Sequence, residues 1–164
     1  MRNTKKSSTR YIVRGALIAA AYAVTSYVSA PLQILFFQFR ISEALCILPI
    51  FMPEAIVGLF LGCLCANYLS GCLVWDVIFG SLATLIGALG ARMLGKLPKK
   101  LMFLSTLPTV LANAFIVPFV IMYAYGSAES YLFLFATVFV GEFVTATLLG
   151  TALYHYIDKR NLKF

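Results

Sequence analysis

The sequence predicts an all-α integral membrane bundle of six transmembrane helices with both termini in the cytoplasm. Two observations carry this. The chain is 62% hydrophobic and 12% charged, with a mean hydropathy of +0.92, whereas a soluble domain of 164 residues needs far more polar surface. Its Lys and Arg residues, moreover, all but Arg40, fall in three groups that each abut an apolar run. These are Arg2, Lys5, Lys6, Arg10 and Arg14; Arg92, Lys96, Lys99 and Lys100; and Lys159, Arg160 and Lys163. Such grouping marks cytoplasmic loops rather than a nucleic-acid surface. One crossing takes about 20 residues, so the length holds about six crossings, residues 1–164 forming one membrane domain and no soluble one.

In order, the apolar runs place spans at residues 11–30, 39–51, 55–69, 74–94, 101–125 and 131–156. Pro31 closes the first, and Pro49 and Pro53 bracket a turn after the second, which is short and interrupted. Ser70 and Gly71 end the third, and Gly95 and Pro98 lie in the basic loop after the fourth. The fifth carries Pro108 and Pro118, and residues 126–130 form the turn to the sixth. The three basic groups must share one side of the membrane, so an even number of crossings separates each pair. Four spans before the loop at residues 92–100 and two after it satisfy this. A re-entrant hairpin in place of the second and third spans preserves the same parity.

The basic start followed by an apolar run also fits a signal peptide, with Val28-Ser29-Ala30 as a weak cleavage site. The run is long enough to span and further apolar segments follow, so it is read as retained. Cys46, Cys63, Cys65 and Cys72 lack paired metal-ligand spacing and read as small packing residues. No metal or cofactor is expected.

Ionisable residues inside apolar spans are functional candidates because they are costly there. Topology puts Arg40 and Glu43 at the outer end of the second span, Asn67 at that of the third, and Asp76, just after Trp75, at that of the fourth. Glu142 is about eleven residues into the sixth span, near mid-membrane at about 1.5 Å per residue, and Asn113 lies at comparable depth in the fifth. Arg40 and Glu43, at i and i+3, fit an ion pair on one helix face. That pair leaves Asp76 and Glu142 without a cation, hence protonated, hydrated or awaiting a ligand. Glu54 is placed at the cytoplasmic surface, Glu129 in an outer loop and Asp158 in the solvated tail.

Phe36, Phe37, Phe39, Trp75, Tyr123, Tyr125 and Tyr131 fall near the outer boundary, where they form an interfacial belt or, beside carboxylates, stack on a flat heterocycle. His155, at the inner end of the sixth span, reads as interfacial. No catalytic triad and no P-loop lysine is present, so the chain is not an enzyme and does not itself hydrolyse ATP. In the first span Gly15 and Ala19, Ala16 and Ala20, and Ala19 and Ala23 are four apart, a spacing that lets a second helix approach closely, within the bundle or from a partner. Gly80, Ala83, Gly87, Ala88 and Ala91 form a similar run in the fourth span.

Three blocks carry a resemblance: Gln38 to Leu45 (QFRISEAL), Gly58 to Cys63 (GLFLGC) running to Ala66-Asn67, and Asp76 to Thr84 (DVIFGSLAT), with the Gly141-Glu142 step. Together they resemble the queuosine-precursor transporter family, substrate-binding S components of energy-coupling factor importers. The resemblance implies capture of a 7-deazaguanine, as the nitrile, the aminomethyl precursor or queuine, on the outer side of a bacterial cell membrane. It also implies a transmembrane coupling protein and two ATP-binding subunits as partners, with Ala16 and Ala20 or Ala19 and Ala23 as the coupling-protein contact. Arg40, Glu43, Asn67, Trp75, Asp76, Asn113 and Glu142 are the candidate ligand-binding residues. A carboxylate of Glu142 or Asp76 suits the adjacent N1–H and N2–H donors of such a base, and Asn67, Asn113 or Arg40 suits its carbonyl. Competing readings are an S component for a pterin or flavin, a secondary transporter using Glu142 as a proton site, and a membrane assembly protein. The second is disfavoured by the absence of an inverted repeat.

Overall fold

A computed structural model describes residues 4–30 and 39–160. Pro31, Phe36, Phe37, Gln38, Arg2 and Lys163, which entered the sequence reading, lie outside the described residues. The chain is all-helical over its described elements. Helix α1 spans Thr4–Ser29, a first 3-10 helix Ile41–Ile50, α2 Glu54–Leu69 and α3 Val74–Leu94. A second 3-10 helix, Lys99–Thr106, leads into α4, Leu107–Tyr123. Helix α5, Tyr131–Glu142, continues through a π segment, Phe143–Leu149, into α6, Gly150–Lys159.

Among the described residues, four continuous helical stretches are long and apolar enough to cross a membrane: Ser8–Ser29, Val74–Leu94, Lys99–Tyr123 and Tyr131–Lys159. The two expected spans between the first and fourth are shorter. Ile41–Ile50 is a 3-10 helix with Pro49 inside it, and at about 2 Å per residue it reaches about 20 Å, short of the about 30 Å hydrocarbon core. Its bounds correct the expected 39–51 span, because Arg40 is the N-cap residue, with φ −88° and ψ 93°, and stands outside the helix.

Further differences have local causes. The fifth stretch begins as a 3-10 helix, so that Pro108 falls at the start of α4, where its missing N–H costs no hydrogen bond. The sixth is interrupted by the π segment immediately after Glu142. Glu54 is buried rather than at the surface, and its carboxylate lies 3.3 Å from Arg14 of α1.

The first 3-10 helix is the centre of the bundle, packed by α1, α2, α3, α6 and the π segment. One apolar cluster, including Tyr22, Cys46, Leu59, Cys63 and Ala88, joins it to α1, α2 and α3. A second, of Ile47, Met102 and Tyr154, joins it to α6, with Phe51 stacked on Tyr154 at 5.3 Å. Helix α1 is peripheral and meets α2 through glycine. A Cβ at Gly58 would lie 2.6 Å from the Gly15 carbonyl oxygen, and one at Gly62 would lie 2.8 Å from that of Ala19. The Gly15 and Ala19 register is therefore consumed inside the bundle, while Ala16 and Ala20 stay exposed.

Polar contacts tie the basic segments to neighbouring helix ends. Besides Arg14 with Glu54, Arg92 Nη1 donates to the carbonyls of Pro49 and Ile50, both at 3.0 Å, capping the first 3-10 helix. Lys99 Nζ donates to Asp158 Oδ2 at 2.7 Å.

Candidate functional site

The turn between α2 and α3 is built by Gly71, whose φ of +72° is the left-handed conformation that follows a helix end without strain only at glycine. Ser70 and Cys72 donate their backbone N–H groups to Ala66 and Asn67 carbonyls at 2.9 and 3.0 Å. This tight return sets the last turn of α2 against the first of α3. Asn67 Nδ2 consequently donates to the Asp76 carbonyl at 3.3 Å, and its Oδ1 accepts from Arg40 Nη2. Gly80, one turn into α3, leaves the room: a Cβ there would stand 2.9 Å from Asn67 Nδ2, 3.4 Å from Asp76 Oδ1 and 3.8 Å from Arg40 Nη1.

Arg40 thus pairs with Asn67 and not with Glu43. Among the described residues no Arg40–Glu43 ion pair forms, because Arg40 precedes the helix and the i, i+3 spacing does not apply to it. The guanidinium still senses the charges of Glu43 and Asp76 at longer range, and its buried Nε has no hydrogen-bond partner among the described residues.

Glu43 is wholly buried and its carboxylate is held by neutral donors. Its Oε1 accepts from Tyr22 of α1 and from Thr84 Oγ1 at 3.4 Å, and its Oε2 from Cys46 Sγ at 3.1 Å. The single hydroxyl hydrogen of Thr84 is shared between Glu43 Oε1 and the nearer Gly80 carbonyl at 3.1 Å. Glu142 differs. It is 1% exposed, its Oε2 has no partner among the described residues, and it lies within electrostatic reach of Glu43 and Arg40. The π segment that begins at the next residue breaks the regular ladder at this carboxylate, a frequent feature of functional positions. Asn113 turns back on its own helix, Nδ2 donating to the Thr109 carbonyl at 3.2 Å, and its buried Oδ1 has no partner among the described residues.

Asp76 is half-buried. Its Oδ2 accepts from Tyr125 Oη at 3.1 Å, and that oxygen also accepts from the Leu73 N–H at 3.3 Å. Partial burial, with the charge of Asp76 beside it, pushes the Tyr125 phenol up to about 12 even though the Leu73 N–H pulls the other way, so it stays a donor. Trp75 is 59% exposed and lines an apolar groove of about 570 Å³ with Phe79, Phe115, Phe119 and Tyr123, beside the charged cluster rather than within it.

The structure therefore brings together Arg40, Glu43, Asn67 and Asp76, with Glu142 in reach of their charges. Sequence reading gave Tyr22 and Thr84 no place in the site and took Gly80 only as a small packing residue. Tyr22 offered one usable signal, a hydroxyl in the middle of an alanine-rich run. Tyr125 was read as a belt residue and proves to be the partner of Asp76. Chemically, the cluster offers an unsatisfied carboxylate acceptor and an unsatisfied guanidinium donor, both buried, which suits a ligand presenting both donors and acceptors.

Comparison with known proteins gives a concordant picture. The family model described as QueT transporter matches residues 12–159. The chain is 38% identical over 85 residues to the queuosine precursor transporter QueT of Lactococcus lactis subsp. cremoris, a match covering 50% of this chain and 49% of that protein. The matched part thus spans about half the length of this curated relative. No solved structure matches. Four apolar helices of spanning length in a chain that matches a transporter family make this a multi-pass protein of the cell membrane.

Proposed function

Because the chain belongs to the QueT transporter family, we propose that it is the substrate-binding S component of an ATP-driven energy-coupling factor importer. It captures a queuosine precursor, a 7-deazaguanine, at the outer face of a six-span bundle with cytoplasmic termini. The observation that carries this reading is the buried pair of unsatisfied groups, Glu142 Oε2 and Arg40 Nε, within electrostatic reach of each other.

A 7-deazaguanine presents N1–H and N2–H side by side, and one carboxylate accepts both. Glu142 takes that role, and Arg40 donates to the ring carbonyl. Asn67 holds the guanidinium through its Oδ1 and the Asp76 carbonyl through its Nδ2. Glu43, already held by Tyr22 and Cys46, acts as a positioning residue that ties the site to α1. Asn113 offers a further acceptor in Oδ1. The aromatic groove beside Trp75 supplies flat apolar surface next to the charged cluster.

Bound ligand reaches the cytoplasm through partners, since the chain has no P-loop of its own. The exposed Ala16 and Ala20 of α1 form the face for the transmembrane coupling protein, which works with two ATP-binding subunits. This register is favoured because Gly15 and Ala19 are covered by Gly58 and Gly62 of α2. The contacts of Arg14, Arg92 and Lys99 with neighbouring helix ends support a common cytoplasmic side for the basic segments.

The test has two parts. Purified protein titrated with 7-deazaguanines, a pterin and a flavin binds the 7-deazaguanines and not the other two. Vesicles containing the protein with coupling and ATP-binding subunits accumulate the same ligand only with ATP. Binding of the pterin or flavin alone, or full uptake without the ATP-binding subunits, overturns the assignment.

A further inference from the structure

We propose that the end of α6 and the loop between α3 and the second 3-10 helix together form a binding surface for the headgroup of an anionic phospholipid. Lys96, Lys100, Lys159 and Arg160 carry it. The proposal is independent of the ligand-capture reading and needs only that the chain sits in a bilayer.

Lys99 Nζ donates to both carboxylate oxygens of Asp158, at 3.0 and 2.7 Å, between residues 59 apart in sequence. The bridge draws the loop at residues 95–98 against the last turn of α6. It also consumes the acid, because Asp158 is the one carboxylate within residues 92–100 and 150–160. Arg92 is engaged with the carbonyls of Pro49 and Ile50. Lys96, Lys100, Lys159 and Arg160 remain, all exposed, and none of them forms an ion pair among the described residues. The Arg160 guanidinium is steadied over the Tyr156 ring, 5.4 Å from its centroid. Four cations gathered at the ends of apolar helices, with no acid to spare, attract an anion.

The surface beside these charges makes that anion a lipid. Met93 is 78% exposed and Tyr156 57%, and Leu101 and Phe103 are exposed as well. Residues three apart eclipse in a 3-10 helix, so Lys100 and Phe103 share one face. A molecule with an anionic head and apolar tails satisfies both kinds of group together. A soluble anion satisfies the charges and leaves the apolar surface uncovered. The rival account is diffuse charge with no site, in which these cations only mark one side of the membrane and complement the C-terminal ends of α3 and α6. Diffuse charge would act equally at the basic end of α1, where Arg14 is already paired with Glu54 at 3.3 Å.

Native mass spectrometry of the purified full-length protein, released from detergent micelles, measures binding of phosphatidylglycerol and of phosphatidylcholine with the same acyl chains. Phosphatidylglycerol should bind at least about tenfold tighter, and in Lys100→Gln/Arg160→Gln this ratio should fall to about twofold or less. Lys6→Gln/Arg10→Gln removes the same charge from α1 and should leave the ratio within about twofold of the wild type. Lys100→Arg/Arg160→Lys, which keeps the charge, should keep the preference. Equal affinity of the wild type for the two lipids overturns the proposal, as does loss of the preference in the charge-keeping pair. An equal loss in the two charge-removing variants overturns the site and supports diffuse charge. Displacement of phosphatidylglycerol by glycerol 3-phosphate at equal concentration overturns the lipid assignment, because the headgroup alone would then suffice.

Discussion

Tyr22 of α1 donates its phenolic hydrogen to the carboxylate of Glu43 in the first 3-10 helix, and neither side chain reaches solvent. Apart from this bond, α1 is held by glycine-lined packing on α2, by Ser26 donating to Ser42 at 2.7 Å and by Arg14 on Glu54. A peripheral helix is thus fastened directly to a residue of the polar cluster.

Tyr22→Phe keeps the ring and the Cβ that lies against Gly62 and deletes only the donor. Thr84 and Cys46 remain on Glu43, so the expected loss is about 1–3 kcal/mol, the cost of an under-satisfied buried acceptor. Thermal unfolding in detergent checks it through a lowered melting temperature. An unchanged value would show that the bond contributes nothing.

Gly58→Ala and Gly62→Ala drive a methyl into α1 backbone, since the nearest atoms include the carbonyl oxygens of Gly15 and Ala19 at 2.6 and 2.8 Å. Backbone cannot rotate away as a side chain can. Each substitution should therefore destabilise by about 1–3 kcal/mol, measured by thermal or denaturant unfolding, while Gly71→Ala, with open space around it, is penalised only for its positive φ.

Ala16→Leu and Ala20→Leu test the outward face of α1. Both positions are exposed, so the purified protein should keep its stability within about 0.5 kcal/mol and retain ligand binding. Co-purification with the coupling protein and ATP-binding subunits should fail. Retained assembly in both variants would remove the partner face from this register.

The long spans were legible because runs of more than about 18 apolar residues admit few other structures. Residues 74–94 were placed at the bounds of α3. The short second element was not, because a ten-residue apolar run with Pro49 carries no period that separates a 3-10 from an α-helix. That ambiguity propagated to the site: spacing alone put Arg40 and Glu43 on one helix face, whereas Arg40 sits at the extended N-cap and turns to Asn67. Burial of Glu142 and Asn113 was readable from depth in their runs, since no surface is available there to a polar residue. Tyr22 was missed because a bond between α1 and a 3-10 helix depends on packing that no local pattern encodes. Gly80 was read as a small residue on a packing face, and its function as clearance for three polar groups appears only in three dimensions.

Titration of the purified protein and its Glu142→Gln variant with 7-aminomethyl-7-deazaguanine tests ligand capture by the buried cluster most directly. Glutamine keeps the shape, removes the unpartnered carboxylate and leaves one acceptor where the ring needs two, so affinity should fall by at least about tenfold while the melting temperature stays as high as the wild type or rises. Equal affinity in the two proteins would contradict the account.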